Sequence, residues 1–162
     1  MNTTVTLKHQ TIHLNAPISG TTLPLLEVLD PLISQGVLGH GIAIEPISSR
    51  IVAPCHGTIT ELAPTGHQLS LTTEHGVVIT IIIGHDAIRT HGLGFSKKVT
   101  CGDIVIAGQT LIELDTLKLK AQLQSLAVSI LITKGALKLK HHFGIKRAGE
   151  DKLLSIVIKD HQ

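Results

Sequence analysis

The chain has 162 residues, 43% of them hydrophobic and 16% charged, with a formal net charge of +2 and acidic and basic side chains interspersed. That length suits one domain with a substantial core, and the composition excludes a disordered chain. The weak charge and the near absence of aromatics, two Phe and no Trp or Tyr, count against nucleic-acid binding, which needs a basic footprint and stacking platforms.

Residues 1–12 are expected to form a short tail ahead of a single domain spanning 13–162, no linker being visible; Met1–Gln10 lack the apolar centre of a signal peptide. Beyond them, short β-rich runs recur between Gly, Pro, Asp and Asn. Strands are expected at Gly41–Ile44, Arg50–Val52, Thr58–Leu62, Gln68–Thr73, Val77–Ile83, Thr110–Leu114, Ala127–Thr133 and Lys152–Ile158. One modest helix is expected after Asp115, a suitable N-cap, running towards Ser125. Such a density of short strands, rich in Ile, Val and Leu, points to an antiparallel sandwich or barrel. The stretch Lys134–Arg147 alternates Lys with Leu and reads as a strand or loop edge with snorkelling lysines. Val77–Gly84, the longest apolar run, is interrupted by Thr80 and is far short of the roughly 18 residues of a membrane span. Cys55 and Cys101 have no metal or redox spacing and read as free thiols, consistent with a cytoplasmic chain.

An internal echo supports an all-β reading. Ala16-Pro17-Ile18-Ser19-Gly20-Thr21 returns as Ala53-Pro54-Cys55-His56-Gly57-Thr58, with Pro fixing a turn and Gly freeing the backbone where a strand departs. Further on, Glu74-His75-Gly76 marks a hairpin turn. Centring that turn between His75 and Gly76 sets Leu69 opposite Ile82 and His67 opposite Gly84. His67 and Ile82 then become diagonal neighbours on one face, roughly 7–8 Å apart, and His85 falls on the other face.

An ordered series of motifs runs from Ala16 to Asp115: Ala16-Pro17 with Gly20, Asp30-Pro31, Gly39-His40-Gly41-Ile42-Ala43-Ile44-Glu45-Pro46, and Val52-Ala53-Pro54 with Gly57. It continues with Thr65-Gly66-His67, Gly84-His85-Asp86-Ala87, Gly92-Leu93-Gly94-Phe95 and Gly102-Asp103. In order and spacing this series resembles the glucose-type IIA domain of the bacterial phosphoenolpyruvate-dependent sugar phosphotransferase system. The resemblance implies a flattened antiparallel β-sandwich or barrel of the glucose-permease IIA, duplicated-hybrid-motif type, with one or two short helices. It also implies two histidines facing each other in a shallow apolar depression. One accepts a phosphoryl group from the histidine phosphocarrier protein and passes it to a cysteine of the IIB domain; the other, matching His67, orients the acceptor. A neutral imidazole nitrogen is the nucleophile.

At the acceptor position this chain carries Ile82, and hydrocarbon cannot be phosphorylated. Asp30, Thr65, His67 and Asp86 match the family. Aromatic positions around the depression have become Ile33, Leu69 and Thr80, and the Asp of the G-D-G motif has become His40. The T-P-V-V-I-S-N run appears as Leu126-Ala127-Val128-Ser129-Ile130-Leu131-Ile132, without its Pro. His67, Ile82, Thr65 and Asp86 are therefore the expected site, rimmed for partner binding by Asp30, Ile33, Leu38, Leu69, Thr80 and Ile88.

Other chemistries fit less well. Eleven His invite a metal, yet no H-E-x-x-H or zinc-finger spacing occurs, so neither metal nor cofactor is expected. Gly92-Leu93-Gly94 is a turn and no phosphate cradle, since no helical pattern follows. Gly102-Asp103-Ile104-Val105-Ile106-Ala107-Gly108-Gln109-Thr110-Leu111 resembles biotinyl or lipoyl carrier domains, but the hairpin turn at Glu74-His75-Gly76 offers no lysine. Two functions remain. The chain is either a phosphoryl carrier using a relocated histidine, His67 or His85, or a noncatalytic, monomeric regulator that binds phosphotransferase-system proteins, transporters or enzymes. No membrane insertion or nucleic acid is expected for either.

Overall fold

Turn-punctuated runs of Ile, Val and Leu fold into fourteen short strands in the computed structural model, which describes residues 8–159. In chain order they are β1 (His9–Asn15), β2 (Gly20–Leu23), β3 (His40–Pro46), β4 (Arg50–Val52), β5 (Gly57–Leu62), β6 (Gln68–Thr72) and β7 (Val78–Ile83). Then come β8 (Phe95–Lys97), β9 (Ile104–Val105), β10 (Thr110–Leu114), β11 (Val128–Lys134), β12 (Lys138–His141), β13 (Ile145–Lys146) and β14 (Lys152–Lys159). Helix is confined to α1 (Pro31–Ser34), α2 (Thr116–Gln122) and two single 3₁₀ turns. Asp115 caps α2 as expected, its carboxylate accepting the Lys118 N–H at 3.2 Å.

All eight expected strands form, and every pairing is antiparallel. The Lys-Leu stretch supplies β12 and β13 at sheet edges. One boundary differs. Strand β1 starts at His9 and pairs with β14 from His9↔Lys159 onward, so residues 9–12 belong to the sheet and not to a tail.

An eight-stranded sheet runs β13-β2-β3-β11-β7-β6-β5-β9, with two three-stranded sheets, β1-β14-β12 and β4-β10-β8, beside it. The long order reads as two matching halves about the β11–β7 pair, and the A-P-x-x-G-T echo explains why. Both copies open a strand, β2 and β5, and they clasp one another reciprocally. Asn15 N–H donates to the Pro54 carbonyl at 3.0 Å and Val52 N–H to the Pro17 carbonyl at 2.8 Å. Gly149 and Gly108 then donate to the Ala16 and Ala53 carbonyls, both at 2.8 Å. Counting registers outward, Ile44 paired with Val128 corresponds to Leu71 paired with Ile79. This internal two-fold makes Leu131 the image of Ile82, and His40 the image of His67.

The two faces of the long sheet have different fates. Ile79, Ile81 and Ile83 of β7, Leu69 and Leu71 of β6, and Val128, Ile130 and Ile132 of β11 point into one continuous core shared with the smaller sheets. The alternate residues, Thr80 and Ile82 of β7 and Ser129 and Leu131 of β11, lie on the outer face. There Ile33 from α1 joins Ile82 and Leu131 in a separate small cluster, with Leu25 and Val28 packed against it. Close approach on β3 is extreme at Gly41, where a Cβ would sit 1.9 Å from the Ile130 carbonyl oxygen.

Candidate functional site

The β6–β7 hairpin places the site, and its turn is one residue different from expectation. Thr73 and Val77 bracket a three-residue loop, Glu74-His75-Gly76. Thr73 N–H donates to the Val77 carbonyl at 2.9 Å, Gly76 N–H donates to the Thr73 carbonyl at 3.0 Å, and Gly76 takes φ +79°. An odd loop centres the register on His75. Gln68 therefore stands opposite Ile82, and Leu69 opposite Ile81. A one-residue shift sends a side chain to the other face. Leu69, expected on the rim, is consequently 0% exposed in the main core, and Gln68 takes the place beside Ile82.

His67 precedes β6, after a turn in which Gly66 adopts φ +80° and its N–H donates to the Ala63 carbonyl at 2.8 Å. Strand β8 braces this turn. Lys97 Nζ donates to the Pro64 carbonyl at 2.8 Å, and a Cβ on Gly66 would lie 3.1 Å from both Phe95 and Lys97 side chains. The His67 carbonyl accepts the Ile83 N–H at 2.8 Å, so His67 is one rung from Ile82. Its ring is half-buried and has not joined the core, as strict alternation with Ile83 would demand. Thr65 Oγ1 is hydrogen-bonded to His67 Nδ1, which leaves Nε2 for an incoming group. Burial lowers the His67 pKa from its ordinary 6.5, which favours the neutral ring.

Ile82 itself is closed over. It is 9% exposed and lies beneath Ile33, which at 2% exposed is a cover and not an open rim. Asp30 holds that cover in place: its Oδ1 accepts the Leu32 N–H at 2.9 Å as the N-cap of α1. Thr80 shares the face of Ile82, but it is buried, and its hydroxyl is hydrogen-bonded to Ser70 Oγ at 2.8 Å. Asp86 is exposed, has left-handed backbone at φ 58°, and pairs with Arg89 at 3.6 Å.

Only Leu38 at 40% and Ile88 at 58% exposure sit on the surface as rim residues should. Leu26, Leu29, Leu32 and Val37 join them as exposed apolar side chains around α1. The sequence reading missed these, together with the Leu25 and Val28 cover. The signal was the run Leu23-Pro24-Leu25-Leu26-Glu27-Val28-Leu29, dense in Leu yet lacking strand alternation.

His85 lies beyond the end of β7, beside Asp86 and Arg89. Strand β7 ends at Ile83, Gly84 turns the chain with φ +75°, and His85 N–H donates to the Ser125 carbonyl at 3.0 Å. The ring lines a cavity of about 320 Å³ with Arg89, Thr90 and Gln122, and its buried Nδ1 has no protein partner. Among the described residues no three His, Cys, Asp or Glu side chains gather as metal ligands, and no helix is long and apolar enough to cross a membrane.

Comparison with known proteins bears on this arrangement. Residues 12–138 match the family described as phosphoenolpyruvate-dependent sugar phosphotransferase system, EIIA 1. The chain is 34% identical over 143 residues to the glucose-specific EIIA component of Buchnera aphidicola, covering 87% of this chain and 89% of that one. It is 31% identical over 147 residues to the glucose-specific EIIA component of Halalkalibacterium halodurans, with 89% and 85% coverage. Against the multidomain β-glucoside-specific EIIBCA component of Dickeya chrysanthemi it is 37% identical over 118 residues, but it spans only 19% of that protein. Among solved structures, glucose permease IIA from Mycoplasma capricolum superposes with a TM-score of 0.86 at 30% identity, covering 90% of this chain and 96% of the other.

Proposed function

The chain belongs to the EIIA 1 family of the phosphoenolpyruvate-dependent sugar phosphotransferase system, and from that premise we propose that it is a noncatalytic, protein-binding member. The reading rests on one observation. Ile82 stands where the family resemblance puts the phosphoacceptor histidine, and it is packed beneath Ile33, Leu25 and Val28. An aliphatic side chain has no lone pair with which to attack phosphorus.

What remains is a docking surface. A phosphoryl group on the acceptor would bring close to two negative charges into the middle of the apolar face. With Ile82 there, that face keeps its apolar character permanently, in the manner of an unphosphorylated carrier. Exposed Leu and Val side chains around α1, with Leu38 and Ile88, form the apolar centre of an interface, and Asp86 and Arg89 form its polar rim. Its partners would be the histidine phosphocarrier, a IIB domain, or transporters and enzymes that such domains restrain. The chain would act as a cytoplasmic monomer, with residues 13–162 as one domain extended by β1 to His9.

Incubation with phosphoenolpyruvate, enzyme I and the histidine phosphocarrier tests this, with intact mass and peptide mapping as readout. The expected result is no acid-labile adduct while an ordinary EIIA domain labels fully in parallel. An adduct mapping to His67 or His85 would overturn the proposal and identify a carrier with a relocated acceptor.

A further inference from the structure

The internal two-fold gives the sheet a second position equivalent to the His67 site, and there the chain carries His40. His40 opens into a cavity of about 830 Å³ between the α1 segment, β3 and the β11–β12 connection. That is within the usual size range of small-molecule sites. We propose that this cavity binds a small phosphate ester, its anionic group held by His40, His141, Lys134 and Lys138 and its carbon body lying against Leu25 and Leu139.

Charge is the first support. Those four are the titratable residues of the lining, and no Asp or Glu is among it. None of the four has an ion-pair partner among the described residues, whereas Arg89, Lys98 and Arg147 all do. Two lysines without a counter-charge, Lys134 and Lys138, with two imidazoles able to take up a proton beside them, give the concavity a positive bias that attracts a compact anion.

Preorganisation is the second. His141 Nε2 lies 2.9 Å from the Gly41 carbonyl oxygen, which can only accept, so Nε2 carries a proton and is fixed, and Nδ1 becomes a donor to an anion when the ring is protonated. The same ring stacks on Phe143 with centroids 5.7 Å apart. On the facing wall Gly36 is bare, and a Cβ there would come within 3.5 Å of the His40 ring. The third support is mixed polarity: Leu25, Ile33 and Leu139 line the same space, so an ester with an apolar body fits better than a free ion. This inference uses neither His67 nor Ile82, and it shares only the Leu25 and Ile33 wall with the face described above.

A titration of the ¹⁵N-labelled full chain with phenyl phosphate at pH 6.5 tests it, with phenol and inorganic phosphate as comparison probes. Saturable shifts at Gly36, Gly39, His40 and 134–138 are expected, with phenol silent and inorganic phosphate weaker. A Lys134→Gln/Lys138→Gln double variant, altered only at exposed positions, should keep its melting temperature and bind roughly tenfold more weakly, through loss of charge-assisted hydrogen bonds. Shifts that do not saturate or scatter over other lysines would overturn the proposal, as would unchanged affinity in the double variant. Inorganic phosphate binding as tightly as phenyl phosphate would refute the part assigned to Leu25 and Leu139.

Discussion

Replacing Ile82 with His tests the site directly. Ile82 is 9% exposed beneath Ile33, so its removal forfeits most of the ~1.5–3 kcal/mol that burying an isoleucine side chain contributes. An imidazole there must also find partners, since an unsatisfied buried polar group costs about 1–3 kcal/mol. Gln68 and Ser129, the residues opposite Ile82 on either side, are both polar and offset much of that second cost. The net loss should be about 2–3 kcal/mol. For a domain of this size, at ~2–4 °C per kcal/mol, melting should fall by about 4–12 °C, as read by circular dichroism. The folded Ile82→His protein should then gain an acid-labile phosphoryl adduct with phosphoenolpyruvate, enzyme I and the phosphocarrier, next to a neutral His67. Ile82→Val, costing ~0.5–1.5 kcal/mol, should remain unlabelled. A loss below about 0.5 kcal/mol would refute the packed cover. A folded Ile82→His protein that never labels would refute the view that this side chain alone blocks the chemistry.

Glycine substitutions separate close packing from backbone conformation. Gly41→Ala would force a Cβ to 1.9 Å from the Ile130 carbonyl oxygen in the middle of the long sheet, and should leave no soluble folded protein. Gly76→Ala meets nothing within 4 Å and should lose only the ~1–2 kcal/mol of a left-handed residue, measured by urea denaturation. Acid should weaken the fold through His67 and His142. The pKa of each is lowered from 6.5, in both cases first by burial and for His142 also by Lys140, Lys152 and Lys146. The unfolded chain therefore takes up protons before the native one does. Stability is full above pH 6.5 and should decline as pH drops below it; a midpoint that rises on acidification from pH 7 to 5.5 would contradict this. Thiol labelling at pH 8 should be ordered. Burial raises the Cys55 pKa to about 11, which leaves roughly one thiolate in a thousand. Exposed Cys101 should thus be alkylated first by iodoacetamide, as peptide mass mapping would reveal.

Strand identity was legible because β-branched, apolar runs and the turn residues that bound them are local properties. Ala127–Thr133 and Lys152–Ile158 could be read as β-rich runs, and the repeated A-P-x-x-G-T turn supported an all-β architecture. The proposed loss of the acceptor rests on the family resemblance, whose motif order aligns Ile82 with that position. Leu69 was misplaced because register depends on the number of residues in the turn. The hydrogen bonds of Thr73 with Val77 and Gly76 close a three-residue loop, and that reverses the face of every residue on β6. The role of the α1 segment was hidden for a related reason. Leu25, Val28 and Ile33 have no periodicity of their own, and they become a lid on Ile82 only where the chain crosses the outer face of β7 and β11. Composition and spacing along the chain thus determined which residues are strand and which are turn. Tertiary structure alone decided which face each side chain occupies and that His40 and His141 meet across one cavity, because those relations join segments as much as a hundred residues apart.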